Sequence, residues 1–79
     1  MNKEFKLLDV VTLTVDLPEH NLWCGQVGTV VDVLADGNVF EVEFSDRNGW
    51  VYESLGVRPD QMMRLRFEPA QSAQDFATV

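Results

Sequence analysis

Seventy-nine residues suffice for one small domain and are too few for two. Thirteen Asp and Glu against six Lys and Arg give a net charge of -7, which disfavours a nucleic-acid partner and suits a basic one. A hydrophobic share of 46% excludes a disordered chain, although a chain this short buries only about 60–65% of its extended surface.

Residues 1–6 read as a polar lead-in. Asp9 to Val15, rich in β-branched residues, predicts a first strand with Val11, Leu13 and Val15 on one face. Asp16 to Gln26, broken by Pro18 and Gly25, predicts a long excursion pinned by Leu17 and Leu22. Gly28 to Leu34 predicts the second strand, with Asp32 in water and Val31 and Val33 inward. Asp36-Gly37 predicts a tight reversal, because both residue types tolerate positive φ.

Val39 to Ser45 carries the plainest alternation: Phe40, Val42 and Phe44 on one side, Glu41 and Glu43 on the other. Asn48-Gly49 predicts the next reversal and Trp50 to Leu55 the fourth strand. Gly56 to Asp60 reads as a turn with a single turn of 3-10 helix. Gln61 to Phe67 predicts the last strand, with Met63, Leu65 and Phe67 inward and Arg64 and Arg66 outward. The domain is thus expected over 1–67, and 68–79, cut off by Pro69, as a mobile tail or a short docked helix anchored by Phe76.

The sum is an all-β domain: five short strands, a long first loop, a meander and a 3-10 turn before the last strand, closed into an SH3-like small barrel. The hairpin from Gly25 to Phe44, beginning G-Q-V-G-T-V-V-D-V, resembles the KOW motif of ribosomal and transcription proteins. D9-V-V-T-L, L17-P-E, G25-Q-V-G-T-V-V-D-V and F40-E-V-E-F-S-D together resemble a family of short bacterial proteins known as domain of unknown function 4926. That resemblance implies an SH3-like barrel, no known enzyme activity and an accessory or antitoxin-like role beside another protein. Trp23-Cys24, where that family more usually carries a polar or basic pair, and Trp50 depart from its pattern.

The single cysteine forbids an internal disulfide and fits a reducing compartment. The first residues lack a secretory signal and no apolar run approaches the roughly 20 residues of a membrane span, so a cytoplasmic location is expected. His20 and Cys24, with Asp16 and Glu19 nearby, lack the partners for nucleophilic or metal chemistry. Cys24 reads as a small buried filler and His20 as a solvated loop residue. No metal, cofactor or catalytic residue is expected, and Gly25-x-x-Gly28 lacks the Lys-Ser/Thr of a phosphate loop.

The residues that invite function are aromatic and acidic. Trp50 and Tyr52 share one side of the fourth strand, opposite Val51 and Leu55; if the latter two fill the core, the aromatics face water beside Trp23 of the long loop. Rigid amphipathic rings of this kind mark binding sites. Glu41 and Glu43, with Asp32 and Asp46, suggest an acidic strip that steers a basic partner. The expected function is therefore a non-enzymatic protein-binding module using Trp23, Trp50, Tyr52, Glu41 and Glu43. The alternatives are RNA binding in the KOW manner through Arg47, Arg58, Arg64 and Arg66, or a structural domain that self-associates through a barrel edge, as a monomer or small homo-oligomer.

Overall fold

The computed structural model describes residues 5–65. The expectations for the tail 68–79, for Arg66 and Phe67 and for most of the lead-in lie outside the described residues. Five antiparallel strands form one sheet: β1 (Val10–Leu13), β2 (Val27–Leu34), β3 (Val39–Ser45), β4 (Val51–Val57) and β5 (Met62–Arg64). Their order across the sheet is β4-β3-β2-β1-β5. No ladder joins β4 to β5, so the sheet is barrel-like but open, not the closed ribbon that the sequence predicts. Among the described residues the only helical pieces are three single 3-10 turns, one of them at Pro59–Gln61 just before β5.

The core lies on one face of this sheet. Val11, Leu13, Val30, Phe40, Val42, Phe44, Val57 and Met62 are buried there. Leu22 of the long loop joins them with no exposed surface, and Leu17 packs beside it. Phe5 covers another part, its ring edge-on to that of Phe40 at 5.5 Å. β3 matches its predicted bounds and faces residue for residue.

The other four strands depart from expectation for identifiable reasons. In β2 the register shifts between Val30 and Asp32, so Val31 is an extra, bulged residue. Val30 is therefore buried in place of Val31, whereas Val33, opposite Phe40, stands 43% exposed beyond the core. A second bulge falls where Phe44 pairs with Glu53 but Ser45 pairs with Val51, leaving Tyr52 extra. It turns Val51 to the outer face, while Leu55 keeps its place against the core. β4 also runs two residues further than predicted, and Val57, expected in a turn, is fully buried opposite Phe40. In β5 the pairing of Leu13 with Met62 sends Met62 inward and Met63 out, the reverse of the predicted parity. β1 ends at Leu13, short of Val15, because the chain there enters the long loop.

Gly28 sets how closely the strands approach. It pairs with Val11 on one side and with Phe44 on the other. A Cβ at this position would meet Val42 Cγ1 at 2.6 Å and the Glu43 carbonyl oxygen at 2.8 Å. The bare backbone lets the Val42 side chain and the backbone of β3 come this close to β2. Gly28→Ala is expected to destabilise the fold by roughly 1–3 kcal/mol through overpacking. Urea unfolding, read as a lower midpoint at constant slope, checks this.

Candidate functional site: the aromatic edge and the acidic sheet face

The long loop returns across the sheet and is tied down at both ends. Leu17 and Leu22 bridge each other, and the N–H of Cys24 donates to Asp16 Oδ1 at 2.9 Å. Gly25, at φ +97, donates its N–H to the Leu13 carbonyl at 2.8 Å. That left-handed turn swings the chain into β2 and strongly favours glycine. The carbonyl of Gln26 accepts the Leu13 N–H at 2.9 Å and the Thr12 hydroxyl at 3.2 Å.

The side-chain amide of Gln26 organises the aromatic edge. Its Oε1 accepts the Trp23 N–H at 2.6 Å, and its Nε2 donates to the Tyr52 hydroxyl at 2.7 Å. One amide therefore links the loop to β4 across 26 residues of sequence. Trp23 and Tyr52 are each 48% exposed. The bulge at Tyr52 takes it out of the regular ladder. Trp50, 73% exposed, sits at the base of the β3–β4 hairpin, where its N–H donates to Asp46 Oδ1 at 3.1 Å. All three aromatics singled out in the sequence thus present ring surface to solvent.

A second tie runs beside the first. His20 Nδ1 lies 3.3 Å from Glu53 Oε2, with both side chains partly buried, and Glu53 Oε1 accepts the Ser54 N–H at 3.1 Å. His20 thus ties the loop to β4 while its side chain stays 39% exposed, because the bulge at Tyr52 puts Glu53 on the face that the loop crosses. Cys24 is exposed and not a core filler. The sequence reading misses both Gln26 and the His20–Glu53 pair, since no local pattern marks them.

The acidic residues divide in two. Asp32 and Glu41 pair across β2 and β3, and Glu43 lies one row away between Thr29 and Ser54, all on the outer face. Glu41 accepts the Ser54 hydroxyl at 2.6 Å. Asp46 is a turn residue instead, its carboxylate taking the N–H groups of Asn48 and Trp50. Of the arginines, Arg58 sits 3.3 Å from Asp60 and Arg64 3.4 Å from Asp9, and Arg47 belongs to the β3–β4 hairpin. Among the described residues no three His, Cys, Asp or Glu side chains gather as a metal would need, and no helix is long and apolar enough to cross a membrane.

The family model of a domain of unknown function, DUF4926, matches residues 7–64. The chain belongs to the DUF4926 family. Its match spans all five strands and the loop that carries Trp23. Searches of curated proteins and of solved structures each gave no match.

Within this DUF4926 domain the loop's hold on the sheet is testable. Leu22→Ala is expected to cost about 2–5 kcal/mol, as loss of a fully buried side chain does. Gln26→Leu removes only the amide bridge, so stability should fall by about 1 kcal/mol. Hydrogen exchange at the Trp23 amide should quicken well beyond what global unfolding explains.

Proposed function

We propose that this domain is a non-enzymatic protein-binding module built on an SH3-like barrel, acting in the bacterial cytoplasm as an accessory or antitoxin-like partner of another protein. The order β4-β3-β2-β1-β5, the long loop after β1 and the 3-10 turn before β5 support the SH3-like assignment. The observation that carries the functional reading is the Gln26 amide, which joins the Trp23 backbone to the Tyr52 hydroxyl and so ties together two half-exposed aromatic residues. A Tyr52 ring held by its hydroxyl before binding loses little entropy on contact, which suits a recognition surface. Trp50 extends the surface on the hairpin, and Glu41 and Glu43 give the adjoining sheet face a negative charge suited to a basic partner. Arg58 and Arg64 each lie beside a carboxylate, which weakens their claim on phosphate and leaves the RNA reading second.

Trp23→Ala/Trp50→Ala tests the reading. Both side chains are exposed, so each substitution should change stability by only about 0.5 kcal/mol. Circular dichroism and thermal melts should match the parent, while affinity purification from the host should lose the partner. Full recovery of that partner by the folded double variant would remove the aromatic edge from the function.

A further inference from the structure

The outer face of the sheet can be read row by row from the register. Thr12 lies between Met63 on β5 and Val27 on β2. One step beyond the Gly28–Phe44 pair brings Val27 beside Ser45, which pairs with Val51 on β4. Met63, Val27 and Val51 are 52%, 47% and 50% exposed. They form an apolar row across all five strands, spaced by the small hydroxyl residues Thr12 and Ser45. The next row holds Thr29, Glu43 and Ser54, and the one after holds Asp32, Glu41 and Gly56. None of these positions is Lys or Arg, and no ion pair among the described residues engages Asp32, Glu41 or Glu43.

We infer that this outer face docks a basic amphipathic helical segment of a partner protein, its apolar side on the Val27–Val51 row and its Lys or Arg flank over Glu43, Glu41 and Asp32. The inference rests on the protein-binding reading above and adds a second surface and the chemistry of its occupant. The dimensions agree. Val27 to Val51 crosses two inter-strand gaps, about 10 Å, which two turns of helix cover. Glu43 stands one row away, roughly 7 Å along the strand, within reach of a lysine on the helix flank. Charge selects the occupant: a second copy of this face would set carboxylates against carboxylates, whereas a cationic flank meets three of them. Asp32 and Glu41 stand directly opposite each other across the ladder, an arrangement that repels by itself and is relieved when a cation sits between them.

The test uses the full chain and designed peptides of about 14 residues. One peptide sets Leu at helical spacing with Lys on the flank; a second has the same composition scrambled; a third carries Glu in place of Lys. The patterned Lys peptide should bind roughly tenfold tighter than the scrambled one, and its amide shift changes should fall on β2, β3 and β4. Val27→Ser/Val51→Ser should abolish that preference with the fold intact. Glu41→Gln/Glu43→Gln should weaken both cationic peptides and flatten the salt dependence. Equal binding of patterned and scrambled peptides, equal binding of the Glu peptide, shift changes confined elsewhere, or no binding at all would each overturn the inference. So would a concentration-dependent dimer that excludes the peptide. Trp23→Ala/Trp50→Ala bears only on the aromatic edge, so its result and the peptide result fail separately.

Discussion

The sheet depends on an absence: there is no side chain at Gly28. A single layer of five strands has a core only if it curls, and among the described residues every buried side chain comes from one face of that layer, from Leu22 or from Phe5. β2 is the strand at which the curl is made, since it is laddered to β1 over Val27 to Thr29 and to β3 over nearly its whole length. Gly28 sits where both ladders meet, with Val11 on one side and Phe44 on the other, and the Val42 and Phe44 side chains occupy the space that its Cβ would need. Two packed halves of one sheet can approach this closely only over bare backbone.

Once the sheet curls, its open mouth must be covered, and the long loop does so. Leu22 supplies the apolar contact, and polar ties hold the loop in place: Cys24 to Asp16, Gln26 to Tyr52, His20 to Glu53. The last two end on neighbouring residues of β4. The bulge at Tyr52 is what allows this, because it turns Glu53 toward the loop while leaving the Tyr52 hydroxyl within reach of Gln26. The Trp23–Gln26–Tyr52 part of the aromatic edge is therefore a by-product of the covering of the core, joined by the same bonds.

How much of this the sequence discloses differs from strand to strand. β3 is legible because Phe, Val and Phe alternate with Glu, and no other register keeps two carboxylates out of the core. β2 is not, because Val30, Val31 and Val33 are chemically alike and nothing among them marks which is the bulged one. β5 slips for the same reason: Met62 and Met63 are interchangeable to a pattern, and only the pairing with Leu13 decides between them. The candidate site follows the same logic. Trp23, Trp50 and Tyr52 stand out by type, so the residues are legible, but their arrangement is not. Gln26 and Tyr52 lie 26 residues apart, and His20 and Glu53 lie 33 apart, joined by topology alone. The exposed state of Cys24 is hidden for the opposite reason, since a small apolar residue between a tryptophan and a glycine suits a core or a surface turn equally well.

The treatment of the open edges argues for recognition by side chains over recognition by strand pairing. β4 borders the sheet, and there the Ser54 amide is already taken by the carboxylate of Glu53. The Val33 amide of β2, beyond the reach of β1, is likewise taken by the carboxylate of Asp32 at 2.8 Å. In both places an acidic residue caps the N–H that comes after it, a device that blunts an edge against adding another strand. A negative charge beside each capped donor also repels a second copy of this acidic chain. At these two places the addition of a second copy is thereby opposed, and the function proposed above then falls to side chains: the rings at the rim and the carboxylate-bearing face.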